Sequence, residues 1–168
     1  PNQHAVLYMY NINAAKLTTF DTGVGSSASP NGMAAPAPID VTNDRIADTI
    51  YAGDLQGNLW KIDVSSTNAS QWGFAFGTKT TPSALFTAKD ASGNIQPITD
   101  KPQVGRNKSG AITVYFGTGT YFLTTDNTVG TNPPVQSFYG IIDNGTQVSG
   151  RSGLLQQSIV AQSTVNGN

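Results

Sequence analysis

Apolar residues in this chain come in short runs of four to seven, each cut off by Gly, Pro, Asn or Asp. The runs are Ala5-Val6-Leu7-Tyr8-Met9-Tyr10, Leu17-Thr18-Thr19-Phe20, Thr49-Ile50-Tyr51-Ala52-Gly53, Leu59-Trp60-Lys61-Ile62, residues 111–117 and Phe138-Tyr139-Gly140-Ile141-Ile142. All carry β-branched or aromatic residues between turn formers, the pattern of short strands. Ala37-Pro38-Ile39 reads as a further strand. No stretch holds a 3.6-residue period over the length of an ordinary helix, so the pattern predicts an all-β fold. Residues 65–82, 89–95 and 124–135 lack the pattern and are expected to be excursions between strands or blades.

Aligning the strands exposes a repeat in which an aromatic residue precedes a Gly near a strand end. It occurs in Ile50-Tyr51-Ala52-Gly53-Asp54, in Val114-Tyr115-Phe116-Gly117-Thr118-Gly119 and in Phe138-Tyr139-Gly140-Ile141-Ile142-Asp143. Aromatic-Gly pairs also occur in β-sandwiches, but the spacing suits propeller blades. With ~40–45 residues to a blade, 168 residues hold about four, too few to close a typical ring. The expectation is a partial β-propeller over residues 1–168. The start at Pro1 and the end at Val165-Asn166-Gly167-Asn168 are read the same way, as the limits of a piece of something longer.

Composition narrows the chemistry. All ten acidic residues are Asp and none is Glu, which favours turns over helices. Charged residues make up 11% of the chain and the formal net charge is −1, so neither a nucleic-acid footprint nor a polybasic membrane patch is present. No apolar run approaches a membrane span. The absence of Cys excludes disulfides, thiolate metal sites and thiol catalysis within this stretch. His4 is the single histidine, so a Ser-His-Asp or metal-His site would have to be built around one peripheral residue. Gly117-Thr118-Gly119 reaches Phe122 where a dinucleotide loop needs its third Gly. The sequence is read as having no catalytic role.

One segment concentrates charge. Asp40-Val41-Thr42-Asn43-Asp44-Arg45-Ile46-Ala47-Asp48 places oxygen donors at alternate positions and runs directly into a hairpin, so that loop and hairpin together span 40–63. A hard cation such as Ca2+ takes six to eight oxygens, and a short loop supplies them from side chains at positions 1, 3 and 5, a carbonyl at 7 and a carboxylate at 9. Those positions hold Asp40, Thr42, Asp44, Ile46 and Asp48, the candidate metal ligands. Plain Asx-turn chemistry would also account for an Asp-rich loop. The segment is not an EF-hand, because Arg45 stands where that loop needs Gly, Tyr51 stands where it needs Glu, and the flanks read as strands. Nearby, Trp60 is expected to pack between sheets, and Asp54 to cap the turn at Leu55-Gln56-Gly57 without binding metal.

The order of these landmarks resembles a known family. Ala35-Pro36-Ala37-Pro38-Ile39-Asp40, the nine-residue loop, Ile50 through Asp63, Gln96-Pro97-Ile98-Thr99, Pro102-Gln103-Val104-Gly105-Arg106, Val114 through Tyr121 and Ser137 through Asp143 are similar, over residues 31–143, to the C-terminal β-propeller of PilC/PilY-type type IV pilus-tip adhesins. Tyr-Ala-Gly-Asp-Leu-Gln-Gly-Asn-Leu-Trp is the most specific part. The resemblance implies an extracellular protein, reached through the periplasm and displayed at a bacterial pilus tip, that supports pilus biogenesis, surface attachment and twitching motility. It implies minor pilins and a host or abiotic surface as partners. It also implies Ca2+ as cofactor, held by Asp40, Thr42, Asp44, the carbonyl of Ile46 and Asp48, with Thr42 and Arg45 departing from the family's more usual Asp or Asn and Gly. Two other classes share features with the chain. A pyrroloquinoline quinone propeller enzyme resembles Ala52-Gly53-Asp54 with Gly57 and Trp60, though with wider spacing and a Glu calcium ligand. A calcium-dependent carbohydrate-binding domain shares the Asn- and Thr-rich, low-charge composition.

Overall fold

The computed structural model describes residues 2–158, 160, 161 and 163. Pro1 and the Val165-Asn166-Gly167-Asn168 end lie outside the described residues. The described chain is all-β apart from three short 3-10 turns, Ala69–Gln71, Thr124–Asn127 and Arg151–Gly153. Strands β1 (Val6–Asn11) and β2 (Lys16–Asp21) form an antiparallel hairpin. A five-stranded sheet follows, built on β3 (Ala37–Ile39), β4 (Thr49–Gly53), β5 (Asn58–Asp63) and β6 (Gly73–Phe74). After the small ribbon of β7 (Phe76–Gly77) and β8 (Pro82–Ser83), β9 (Phe86–Thr87) returns to pair with β5. The last sheet is β10 (Gln103–Arg106), β11 (Ile112–Gly117) and β12 (Phe138–Ile142), in that order. Among the described residues the sheets do not close into a ring.

The central sheet is covered on both faces, which is why β4 reads as an unbroken apolar run and is buried at every position. Tyr51 pairs with Lys61 and Gly53 with Leu59, so one face presents Tyr51 and Leu59 to a core shared with Leu85, Phe86, Val114, Phe116, Tyr139 and Ile141. Phe86, Phe116 and Tyr139 meet there with ring centroids 5.1–6.3 Å apart, a spacing at which aromatic pairs add to area burial. The other face presents Ile50 and Ile62 to Phe20, Leu7 and Met9 of the first hairpin. Trp60 is buried, as expected, and packs edge-on at 5.1 Å against Phe74 of the neighbouring strand of the same sheet.

A second repeat, stronger than the aromatic-Gly one, sits in the turns. Asp54-Leu55-Gln56-Gly57-Asn58, Asp90-Ala91-Ser92-Gly93-Asn94 and Asn107-Lys108-Ser109-Gly110-Ala111 share one geometry. In each, the first side chain accepts the N–H of the third and fifth residues at 2.8–3.0 Å. The glycine at the fourth place takes φ between +77° and +88°, a left-handed conformation that other residues reach only with strain. Asp54 caps its turn as expected and does much more. Its carboxylate, 0% exposed, also accepts from Asn58 Nδ2, from Trp60 Nε1 at 2.8 Å and from Asn31 Nδ2 at 2.9 Å. Its backbone carbonyl accepts the N–H of Ile98 at 2.9 Å. Alongside, a Cβ on Gly53 would lie 2.2 Å from Ile98 Cγ2, so only glycine lets β4 pass this close.

A polar tie joins the central sheet to the chain just beyond β12. Lys61 Nζ lies 2.6 Å from Asp143 Oδ2, and the Tyr51 hydroxyl donates to the same oxygen. Burial alone would raise the Asp143 carboxyl. The hydrogen bonds from Lys61, Tyr51 and the Gly145 N–H outweigh it and hold the group below its ordinary value. Burial first, and the Asp143 hydrogen bond and charge second, push the Tyr51 phenol upward.

The strand limits at Ala37–Ile39, Thr49–Gly53 and Phe138–Ile142 coincide with those read from the sequence. The two-residue strands β6 to β9 are too short to leave a period, and β10 is masked by Pro102 and Gly105.

Two outcomes follow from these contacts. Asp54→Ala strands several buried donors, each worth about 1–3 kcal/mol. Chemical denaturation should therefore show a loss of roughly 3 kcal/mol or more, whereas Asp90→Ala, in the same turn geometry at the surface, should lose markedly less. Asp143 binds fewer protons folded than unfolded. Its contribution is complete above the unfolded value of 3.8 and is lost as pH falls through the lower folded value. In Lys61→Met the strongest opposing hydrogen bond is gone and the Asp143 carboxyl moves upward, so the variant should lie below wild type near neutrality, and its urea midpoints followed from about pH 7 to pH 2 should fall less on acidification, the two curves converging at low pH. Parallel curves would contradict the tie.

Candidate functional site

The loop 40–48 connects β3 to β4, whose antiparallel pairing Ile39↔Thr49 brings its two ends together. Asp48 locks the closure. Its N–H donates to the Ile39 carbonyl at 2.9 Å, and its Oδ2 accepts from the N–H of Val41 at 2.7 Å, the N–H of Thr42 at 3.0 Å and the Thr42 hydroxyl at 3.2 Å. The backbone donors of Thr42 and Val41 hold the Asp48 carboxyl below its ordinary value, so it is ionised at neutral pH.

Asp40 organises the other half. Its Oδ1 accepts the N–H of Asn43 at 2.6 Å and of Asp44 at 3.2 Å, and its Oδ2 accepts the N–H of Arg45 at 2.6 Å. Asp44 Oδ1 accepts the N–H of Ile46 at 2.8 Å. Wrapping the chain this tightly around one carboxylate puts Asn43 at φ +62° and Arg45 at φ +73°. Asn tolerates that region. Arg45 does not favour it, and the cost for a residue with a Cβ is about 1 kcal/mol. The sixth position thus keeps a glycine-like backbone although the sequence supplies Arg.

All five expected ligands lie in this one loop, and Thr42 bridges Asp48 and, at 3.5 Å, Asp40. Among the described residues, however, no three His, Cys, Asp or Glu are gathered closely enough to form a metal-holding group. The carboxylates serve the loop's own N–H groups first. The donor set still suits a hard cation: it is all oxygen, and Asp48 Oδ1 and Asp44 Oδ2 take no part in the hydrogen bonds that close the loop.

A groove of about 410 Å³ runs beside the loop, lined by Thr42 and Asp48 together with Lys61, Asp63, Ser65 and Phe76. Sequence reasoning missed this juxtaposition of the loop with Lys61, and it missed Arg106, whose guanidinium donates to the Val41 carbonyl at 3.0 Å. The Arg106 bond joins residues 65 apart in the chain, which no local spacing reveals. The asparagine partner of Asp54, Asn31, was equally invisible.

No helix among the described residues is long and apolar enough to cross a membrane. Compared with known proteins, residues 1–165 match the family model of the PilY1 β-propeller domain. The chain is 33% identical, over 95% of its length, to a type IV pilus biogenesis factor PilY1 homolog of Xylella fastidiosa. It is 32% identical, over 98% of its length, to the type IV pilus biogenesis factor PilY1 of Pseudomonas aeruginosa. It spans 11% and 15% of the lengths of these two relatives. The crystal structure of the Pseudomonas aeruginosa PilY1 C-terminal domain superposes with a TM-score of 0.74 at 32% identity, over 87% of this chain and 32% of that one. This chain, with its all-β fold, therefore belongs to the PilY1 β-propeller domain family.

Proposed function

We propose that this domain is the calcium-binding propeller region of a type IV pilus-tip adhesin that acts in pilus biogenesis, surface attachment and twitching motility, and that it is not an enzyme. Support for the pilus role comes from the relatives, which are named as pilus biogenesis factors. The observation that carries the calcium reading is the nine-residue loop, closed by Asp48 and wound around Asp40, with oxygen donors at positions 1, 3, 5, 7 and 9. Asp40, Thr42, Asp44, the Ile46 carbonyl and Asp48 would hold the ion. Ca2+ would supply positive charge that relieves repulsion among three carboxylates and stiffens the entry to β4. Minor pilins at the tip and a host or abiotic surface are the proposed partners, and the outer surface of the cell is the proposed location.

Calorimetric titration of the purified protein tests the ligand set. Asp44→Ala removes a charged ligand and should weaken calcium binding roughly tenfold or more. Asn43→Gly, out of the alternation and suited to φ +62°, should bind nearly as wild type. Equal losses would contradict the assignment. Thr42→Asp adds a fourth carboxylate, so the difference in melting temperature between calcium and chelator should widen, because an ion that binds only the folded state stabilises it in proportion to ln(1 + [L]/Kd). In the cell, Asp48→Asn in the full-length protein keeps an acceptor for the loop N–H groups but removes the charge. Surface pili counted by microscopy and twitching should then fall while the circular dichroism spectrum is retained. Normal piliation in a variant that has lost calcium would leave the ion without a regulatory part.

A further inference from the structure

Arg106 ends β10, and its guanidinium is fixed at two points. Nη1 donates to the Gly110 carbonyl of its own turn and Nη2 to the Val41 carbonyl of the loop, each at 3.0 Å. Among the described residues this is the loop's one hydrogen bond to the β10–β12 sheet; the others run within the loop or to Ile39 and Val64. Val41 is the shared element, since its carbonyl faces the Arg106 cation while its N–H is bound by the Asp48 carboxylate.

Such a contact can act as a tether or as a counter-charge. The loop's own bonding decides between them. Asp40 and Asp48 already bind the N–H groups of Val41, Thr42, Asn43, Asp44 and Arg45, so the backbone path is set without Arg106. The carboxylate charge, by contrast, has no direct ion-pair partner among the described residues, Lys61 beside Asp48 being paired with Asp143. Among the described residues the ion pairs are His4–Asp21 and Lys61–Asp143, and none involves Asp40, Asp44 or Asp48. Arg45 is exposed and its side chain makes no hydrogen bond among the described residues. A guanidinium one residue from a ligand carboxylate offsets the mutual repulsion of the three carboxylates when no ion is held, and repels a divalent ion when one enters.

We infer that Arg106 is an electrostatic brake on the calcium loop, a positioning residue in the second sheet that lowers the loop's affinity for the ion and so sets the calcium concentration at which it fills. This inference rests on the calcium reading and goes beyond it by naming the residue that tunes the site.

Calcium titration of the full-length protein, with Asp44→Ala as the loop-deficient reference, tests it. Arg106→Gln removes the charge and, being two bonds shorter, the bond to Val41, which the loop's own hydrogen bonds make dispensable, and it should bind calcium roughly two- to tenfold more tightly at low salt. The gain should shrink at about 0.5 M salt, where exposed charges are screened. Arg106→Lys keeps the charge and should stay near wild type. Unchanged or weaker binding by Arg106→Gln, or a gain insensitive to salt, overturns the brake while leaving the calcium site intact. No difference between wild type and Asp44→Ala overturns the calcium reading itself, and the brake with it.

Discussion

A single carboxylate with no exposure to solvent, that of Asp54, is the constraint on which the arrangement rests. A buried anion is tolerable only when its lone pairs are filled. Asp54 fills them with the N–H groups of Gln56 and Asn58, the Asn58 amide, the Trp60 indole and the Asn31 amide. The partners lie on three parts of the path: the hairpin turn, the core of β5 and the segment leading into β3. Satisfying one charge therefore fixes the β4–β5 hairpin, seats the Trp60 indole in the interior and anchors the chain that enters the loop.

The loop at 40–48 inherits its geometry from that anchored hairpin. β4 holds one end of the loop and β3 the other, and Asp48, at the junction, closes it while its backbone carbonyl accepts the N–H of Val64 beyond β5. The face of β4 and β5 that carries Tyr51 and Lys61 reaches across to Asp143. Loop, groove and inter-sheet tie are thus built on one short hairpin.

Much of this was legible in the residues, for a physical reason. Runs of β-branched and aromatic residues between turn formers bounded β4, buried on both faces, and β12, buried on one, correctly, while size placed Trp60 in the interior and turn chemistry placed Asp54 at its turn. The five donors of the loop were visible because they are contiguous. What could not be read was everything that joins distant segments: Asn31 to Asp54, Lys61 and Tyr51 to Asp143, and Arg106 to Val41. The left-handed backbone at Arg45 was legible only as a departure from the glycine of similar loops, since an arginine by itself gives no sign of a position whose φ suits glycine. The recurring Asp- or Asn-led turn ending in Gly and one further residue was present in the sequence at 54–58, 90–94 and 107–111. It is a better internal repeat than the aromatic-Gly pairs because hydrogen bonding, and not packing alone, dictates its spacing.

The central claim is that loop 40–48 gathers a calcium ion within a PilY1-family propeller, and a crystal structure grown in calcium tests it most directly. The account predicts a single strong density peak inside the loop, with Asp40, Thr42, Asp44, the Ile46 carbonyl and Asp48 among six to eight oxygens at about 2.3–2.6 Å. A loop still closed only on its own N–H groups at saturating calcium, with the ion absent or held elsewhere, would contradict it.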